Sequence, residues 1–271
     1  MTAVRPVALV TGASSGIGET AAMALAAAGY QVIGTSRNTA KIPARPGVTY
    51  LDLDLTSDDS ASSVVEQVID KFGRIDLLVN NAGLGADGAV EEISVARAQS
   101  VFDVNVFGLM RMTKAVLPYM RAEGRGRIIN ISSVAGFVPN PFMGVYVATK
   151  HAVEGYSESL DHEVREFGVR VLLVQPGPIN TPFDANMMQA DNPLPLYTAR
   201  RRNFHDVMQK AMRGGDEPAA VAKVIVKAAT DPKPKLRYPA GATAGRASVL
   251  RRLVPAKAFD KGIRKLNRLP G

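Results

Sequence analysis

A tyrosine followed four residues later by a lysine is the pair in this sequence best suited to acid–base chemistry. Tyr146 and Lys150 open a helical pattern, so their side chains lie on one face of the helix. A free tyrosine has a pKa of about 10, and a neighbouring ammonium group favours the phenolate. Lowering that pKa by about three units requires about 4 kcal/mol of differential interaction. Taken alone, the pair fits a core aromatic residue beside a solvated lysine at least as well.

A glycine-rich turn earlier in the chain is typical of a dinucleotide-binding site. Residues 11–18 read TGASSGIG and lie between an apolar strand pattern and an Ala-rich helical pattern. Glycines permit a tight turn, and the free N–H groups that open a helix bind a pyrophosphate. The alternative, a glycine-rich turn without a ligand, fits this strand–turn–helix context less well. We expect the cofactor to contact Gly12, Ser14, Ser15, Gly16, Ile17 and Gly18.

The end of the second strand pattern favours NADP(H) over NAD(H). In dinucleotide folds, an acidic residue at this position hydrogen-bonds the 2′-hydroxyl group of the ribose. This chain has Thr35, Ser36 and Arg37 there instead. Ser36 leaves room for a 2′-phosphate, and the Arg37 guanidinium can pair with that phosphate. The alternative is a solvated Arg37, and the missing carboxylate argues against it.

Six motifs in order resemble the short-chain dehydrogenase/reductase family, in its single-domain branch. The resemblance extends over about 4–181, with no substitution at a catalytic position. It implies a hydride exchange between a nicotinamide cofactor and a substrate that is interconverted between a carbonyl compound and an alcohol. The motifs are TGASSGIG at 11–18, NNAG at 80–83, NVFG at 105–108, NISS at 130–133, the Tyr146–Lys150 pair, and PGPINT at 176–181.

The resemblance also implies a role for each catalytic residue. Tyr146 would exchange a proton with the substrate oxygen, and Ser133 would hydrogen-bond that oxygen. Lys150 would hold the nicotinamide ribose and lower the pKa of the tyrosine, while Asn105 would fix a water molecule that links Lys150 to solvent. The remaining cofactor contacts are expected from Asp54 and Leu55 at the adenine, from Asn81, Ala82 and Gly83 at the adenosine ribose, and from Pro176, Gly177, Ile179 and Thr181 near the nicotinamide.

Strand-like and helix-like patterns alternate from Pro6 to about Tyr238, and this alternation predicts the fold. It indicates an α/β protein with a doubly wound, Rossmann-like parallel sheet between two layers of helices. A single cofactor-binding and catalytic domain is expected over 1–240, followed by a basic C-terminal extension over 241–271. Strands are expected over 6–10, 31–36, 48–51, 75–79, 127–131 and 169–174, and helices over 16–28, 58–72, 96–121 and 146–167.

Apolar segments near the catalytic residues suggest a small apolar ketone, aldehyde or alcohol as substrate. One segment lies between Ser133 and Tyr146, and the other opens an expected substrate lid over about 182–215. Apolar walls with adaptable methionines suit such a molecule, although the same side chains could simply pack the lid against the body. The pattern resembles hydroxysteroid and retinol dehydrogenases. The expected lining residues are Phe137, Phe142, Met143, Phe183, Met187 and Met188.

The distribution of charge argues against a nucleic-acid partner. The net charge is +8, but the segment from Lys233 onward holds eleven Lys and Arg against one acid, Asp260. That segment therefore carries +10 and the rest of the chain −2, so the catalytic body is close to neutral. There are no cysteines, and no cluster of His, Asp and Glu suggests a metal.

The basic extension has an apolar pattern of its own. After Pro255, apolar residues recur at Phe259, Ile263 and Leu266, which predicts a short amphipathic helix. This helix either lies on an anionic membrane surface or packs on the body or on a partner subunit. No export signal and no spanning segment is visible, so we expect a cytoplasmic protein, with peripheral membrane contact through the extension as the alternative.

The leading hypothesis is an NADP(H)-dependent oxidoreductase, and two other functions compete with it. One is a non-enzymatic regulator that binds NADP(H), and the other is a membrane-surface protein that acts through its basic extension. An enzyme is favoured because Asn105, Ser133, Tyr146 and Lys150 are all present. The family resemblance further implies a homo-oligomer, a dimer or tetramer assembled through the long helices.

Overall fold

The computed structural model describes residues 5–183 and 187–270, and a seven-stranded sheet forms its centre. The strand order is β3-β2-β1-β4-β5-β6-β7, and every neighbouring pair is parallel. The predicted doubly wound, Rossmann-like sheet is therefore confirmed, and β7 is a strand that the sequence patterns did not indicate. The strands are β1 (Val7–Val10), β2 (Gln31–Ser36), β3 (Val48–Asp52), β4 (Leu77–Asn80), β5 (Gly126–Ile131), β6 (Val169–Pro176) and β7 (Arg237–Ala240).

Helices connect the strands and extend beyond the last of them. Their ends follow local capping chemistry: the Ser57 hydroxyl accepts a hydrogen bond from the Ser60 N–H, and Gly73 ends the same helix at a φ of 73°. The helices are α1 (Gly16–Ala27), α2 (Asp58–Phe72), α3 (Val95–Phe102), α4 (Leu109–Ala122), α5 (Gly144–Val164), α6 (Thr198–Arg213), α7 (Pro218–Thr230), α8 (Ala242–Leu253) and α9 (Ala256–Leu266).

The core lies on both faces of the sheet because the central strands are apolar throughout. In β1, Ala8 and Val10 point to the face covered by α1 and α7. Val7 and Leu9 point to the opposite face, which α2, α4 and α5 cover. A strand buried on both faces is typical of a three-layer α/β domain. This packing holds the carboxyl ends of β1, β4, β5 and β6 at one edge, where α/β sheets bind ligands.

The stretch expected to be helical over 96–121 is helical throughout, and it contains a π-helical turn that the sequence pattern did not indicate. This turn, Asp103–Gly108, separates α3 from α4. A Cβ at Gly108 would lie 2.8 Å from the Leu55 Cβ, so close packing on the preceding loop favours glycine there. Such turns often lie at functional sites, and this one carries Asn105.

The C-terminal extension packs back on the body at the carboxyl edge of the sheet. Arg251 of α8 donates a hydrogen bond from its Nε to the Phe137 carbonyl oxygen at 3.2 Å. The same guanidinium lies over the Phe259 ring of α9, 5.0 Å from its centre. None of the helices within the described ranges is both long and apolar enough to cross a membrane.

Candidate active site

A cavity of about 890 Å³ opens at the carboxyl edge of the sheet. It is continuous from the glycine-rich turn to the catalytic pair, so one space serves both groups of predicted residues. All the predicted cofactor contacts line it: Gly12, Ser14, Ser15, Gly16, Ile17, Gly18, Ser36, Arg37, Asp54, Leu55, Asn81, Ala82, Gly83, Tyr146, Lys150, Pro176, Gly177, Ile179 and Thr181.

The glycine-rich turn has the shape and the free donors that a phosphate group requires. Gly12 has a φ of 66°, and a Cβ there would lie 2.8 Å from the Ala82 Cα. A Cβ at Gly18 would collide with the Gly12 carbonyl oxygen. Ser15 makes no side-chain cap, so the N–H groups that open α1 remain available to a ligand. These residues therefore fit the pyrophosphate of a dinucleotide.

Asn81 braces this turn from the end of β4. Its Nδ2 donates to the carbonyl oxygens of Thr11 at 2.9 Å and Gly12 at 3.1 Å. In return, the Thr11 hydroxyl accepts hydrogen bonds from the N–H groups of Asn81 and Ala82. The Asn81 amide nitrogen thus acts within the protein, although the residue was expected at the adenosine ribose.

The adenosine end of the cavity has a cation and no acidic residue at the end of β2. Ser36 ends that strand, and the Arg37 side chain is exposed and makes no hydrogen bond with the described residues. Asp52 ends the neighbouring strand β3, where its carboxylate accepts hydrogen bonds from the N–H and the hydroxyl of Thr39, both at 2.7 Å. The guanidinium of Arg37 is therefore free for a ligand at the cavity wall.

Ser133, Tyr146 and Lys150 meet in the cavity although they come from two different elements. Ser133 follows β5, where its hydroxyl accepts a hydrogen bond from the Ala135 N–H at 3.1 Å and also hydrogen-bonds Tyr146. Lys150 lies one turn along α5 and donates from its Nζ to the Ile131 carbonyl oxygen at 2.8 Å. Its ammonium group is 5.6 Å from the centre of the Tyr146 ring.

Burial sets the protonation of this pair. It raises the pKa of Tyr146 to about 12, and the hydrogen bond with Ser133 offsets only part of the rise. Burial also lowers the pKa of Lys150 to about 8, against the opposing effect of the Glu154 carboxylate. Desolvation of the phenolate dominates the pKa of Tyr146 in this geometry, and the lowering of that pKa by Lys150 stays a prediction. The phenol is protonated at neutral pH.

Asn105 lies behind the cavity wall and holds two segments together. Its Oδ1 accepts a hydrogen bond from the Leu84 N–H at 2.7 Å, and its Nδ2 donates to the Leu84 carbonyl oxygen at 2.8 Å. The same Nδ2 donates to the hydroxyl of Thr149, the residue before Lys150. The π-helical turn thus lets the Asn105 amide connect the segment after β4 to α5.

On the substrate side, the structure supports half of the expected lining residues. Met143, Phe183 and Met187 line the cavity, whereas Phe137, Phe142 and Met188 do not. Phe142 packs instead on the rings of Tyr197 and Phe204, and Met188 pairs with Ala86 through the backbone. Further lining residues, which the sequence patterns do not indicate, are Phe204, Val207, Met208, Ala211 and Met212 of α6 and Ile263, Leu266 and Asn267 at the C-terminus.

Polar side-chain contacts hold the expected lid, 182–215, on the segment that follows β4. Residues 184–186 of this lid lie outside the described ranges. Glu92 is fully buried, accepts a hydrogen bond from the Leu194 N–H at 2.7 Å, and pairs with Arg201 of α6. A second pair joins the Asp87 carboxylate to the His205 ring at 2.8 Å. These contacts place the apolar face of α6 beside Tyr146, which packs with Phe204.

Comparison with known proteins places the chain in a family. A model of the short chain dehydrogenases matches residues 6–192. The 3-ketodihydrosphingosine reductase of Bacteroides thetaiotaomicron is 40% identical over 240 residues, covering 86% of this chain and 87% of that protein. Retinol dehydrogenase 8 of Bos taurus is 38% identical over 256 residues, covering 84% and 79%. The chain belongs to the short-chain dehydrogenase/reductase family and is an oxidoreductase of that family.

Solved structures support the same assignment and a nicotinamide cofactor. A short-chain dehydrogenase from Streptomyces avermitilis has a TM-score of 0.83 and 34% identity, with 99% of both chains covered. A 3-ketoacyl-(acyl-carrier-protein) reductase from Brucella melitensis was solved with NADH; it has a TM-score of 0.74 and 25% identity, covering 86% of this chain and 96% of its own. A metagenomic short-chain oxidoreductase was solved with NADP; it has a TM-score of 0.69 and 30% identity, with 86% and 96% covered. In ranges 5–183 and 187–270, no group of three acidic or histidine side chains could hold a metal ion.

Proposed function

We propose that the protein is an NADP(H)-dependent carbonyl reductase that acts on an apolar ketone or aldehyde. The observation that carries this proposal is the buried Tyr146 phenol, hydrogen-bonded to Ser133 in the same cavity as the glycine-rich turn. A phenol with a pKa of about 12 is a proton donor at neutral pH, which suits reduction. The wall beside it is apolar, with Met143, Phe183 and Phe204 packed around the tyrosine.

Different residues of the cavity would bind the cofactor, hold the substrate oxygen and donate the proton. Bound NADPH would supply the hydride, held by the N–H groups at the start of α1 and, at its nicotinamide end, by Lys150, Ile179 and Thr181. The hydroxyls of Ser133 and Tyr146 would hydrogen-bond the substrate carbonyl oxygen and stabilise the negative charge that develops on it. Tyr146 would then give its proton to that oxygen, and the charge on Lys150 would stabilise the phenolate left behind.

Removing the tyrosine hydroxyl tests this mechanism. We expect Tyr146→Phe to abolish NADPH oxidation by apolar ketones and aldehydes while NADPH still binds within about threefold of wild type. Turnover is followed by NADPH absorbance, and binding by NADPH fluorescence, for which the absence of tryptophan keeps the background low. Retained turnover in this variant would refute the proton-donor role. If wild type binds NADPH but turns over no carbonyl compound, a non-enzymatic regulator is favoured instead.

The preference for NADP(H) over NAD(H) rests on Arg37. Its guanidinium lies at the cavity wall and has no hydrogen-bonding partner among residues 5–183 and 187–270, beside the end of a strand that lacks an acidic residue. A charge-assisted hydrogen bond to a 2′-phosphate contributes about 1.5–3 kcal/mol. We therefore expect Arg37→Asp to weaken NADPH binding at least tenfold and NADH binding less than twofold. Arg125→Asp, at an exposed arginine that does not line the cavity, is the matched control.

A further inference from the structure

The C-terminal helix α9 forms part of the wall of the catalytic cavity. Ile263, Leu266 and the following residue Asn267 all line the cavity, although the extension was expected to lie outside the catalytic domain. Asn267 is buried, with 7% of its surface exposed, whereas Leu266 is 65% exposed. A leucine that lines a cavity and also faces solvent lies at the opening. The inner surface of this segment therefore reaches from the interior of the cavity to its rim.

Local contacts keep this segment in place. The Asn267 Nδ2 donates to the Ile263 carbonyl oxygen at 2.9 Å, which closes the last turn of the helix. The guanidinium of Arg251 connects the Phe259 ring to the Phe137 carbonyl oxygen on the body. The apolar side chains Ile263 and Leu266 are thus directed to the cavity while the basic residues of α9 remain exposed or half-buried.

Another wall of the cavity shows how far an apolar ligand can extend. Phe204 of α6 packs in one cluster with Tyr146 and Met143. The same face of α6 continues to line the cavity as far as Met212, which is two turns further along. At 1.5 Å per residue this apolar wall extends about 12 Å from the catalytic end. A reacting carbonyl group at Tyr146 therefore leaves room for a hydrocarbon chain of several carbons along α6.

We propose that Ile263 and Leu266 of α9 select the substrate by contacting the distal part of a long hydrocarbon chain whose carbonyl end lies at Tyr146. This inference rests on the proposed carbonyl reductase function and adds the class of substrate, a long-chain aliphatic ketone or aldehyde. Neither α6 nor α9 lies within residues 6–192, which the family model matches. The two helices can therefore supply a preference of this chain's own, while the catalytic residues remain those of the family.

Introducing a charge at the rim of the cavity should reduce activity on long substrates more than activity on short ones. We compare Leu266→Asp with Leu253→Asp in the full chain; Leu253 is 77% exposed on α8 and does not line the cavity. The substrates are linear ketones of about 6 and about 16 carbons with NADPH. Losing the burial of one leucine corresponds to about tenfold or more in affinity. We expect Leu266→Asp to lower kcat/KM at least tenfold for the long ketone and less than twofold for the short one.

The control and two further measurements decide the remaining outcomes. Leu253→Asp should change neither substrate, and NADPH binding should be unchanged in both variants. An equal loss for the long and the short ketone, or the same loss in both variants, would overturn the proposal. Leu266→Asn, a polar side chain of similar size, provides the same comparison if the aspartate variant does not fold.

A binding measurement tests the role of α9 independently of the proposed carbonyl reductase function. If wild type reduces no ketone, the carbonyl reductase proposal fails, and the fluorescence anisotropy of a pyrene-labelled ketone of about 16 carbons is measured instead. Weaker binding of this probe to Leu266→Asp than to Leu253→Asp would still support the α9 wall. Equal affinity of the two variants would overturn it.

Discussion

Replacing Lys150 by an apolar residue should stabilise the folded protein at neutral pH. Burial lowers the pKa of Lys150 from the ordinary value of 10.5 to about 8. Keeping this ammonium group charged in the folded state therefore costs about 3 kcal/mol below pH 8. Lys150→Met removes that cost but also removes the hydrogen bond to the Ile131 carbonyl oxygen, a loss of about 1–2 kcal/mol. The variant should be more stable than wild type at pH 7 by about 1–2 kcal/mol.

The pH dependence distinguishes this explanation from a general packing effect. Between pH 8 and 10.5 the folded protein releases the Lys150 proton before the unfolded chain does, so wild-type stability rises with pH. The order of the two proteins should reverse by about pH 10, where only about 0.8 kcal/mol of that cost remains and the lost hydrogen bond outweighs it. Urea unfolding followed by circular dichroism measures this, with Lys114→Met, at an exposed position of α4, as the control. A stability difference that is the same at pH 7 and pH 10 would refute the reasoning.

Two further predictions concern the pH profile and the glycine-rich turn. Reduction needs a charged Lys150 and a protonated Tyr146, so kcat/KM should fall as pH rises through about 8 and show no tyrosine titration below about 11. Lys150→Arg should remove the fall, because arginine stays charged; a fall that persists in this variant would assign the titration to another group. Gly18→Ala should weaken NADPH binding at least a hundredfold, because its Cβ would collide with the Gly12 carbonyl oxygen. Gly155→Ala, on α5 with no atom near the added Cβ, should leave binding unchanged in the same titration, and equal effects would contradict the steric argument.

The predictions that succeeded depend on contacts between residues close in sequence or on a repeating pattern. The alternation of apolar strands and amphipathic helices predicted the sheet, because a doubly wound arrangement is the one that buries every strand of this kind on both faces. The glycine-rich turn was recognisable because its glycines, its strand and its helix are contiguous. Nearby backbone atoms require glycine at Gly12 and Gly18, and a φ of 56° favours it at Gly16.

The features that the sequence patterns did not indicate depend on partners remote in the chain. A helical pattern over 96–121 is compatible with a continuous helix, and the π-helical turn satisfies Asn105 through Leu84 and Thr149, which lie far from it in sequence. The pKa of Tyr146 was predicted from its nearest charge, four residues away. Its burial, which decides the result, comes from the lid and from the end of β5.

The position of α9 also depends on contacts between residues that are distant in sequence. For this reason its amphipathic pattern alone was compatible with a membrane surface. The apolar residues Phe259, Ile263 and Leu266 predict that one face of the helix is covered. They do not indicate whether a membrane, the protein body or a ligand covers it. In the fold, Arg251 fixes the direction in which the helix returns, since it contacts both the Phe137 carbonyl oxygen and the Phe259 ring. Once that direction is set, Ile263 and Leu266 face the catalytic cavity. An apolar ligand in that cavity would then cover the face that the sequence leaves unassigned, so substrate binding and the packing of α9 should stabilise each other.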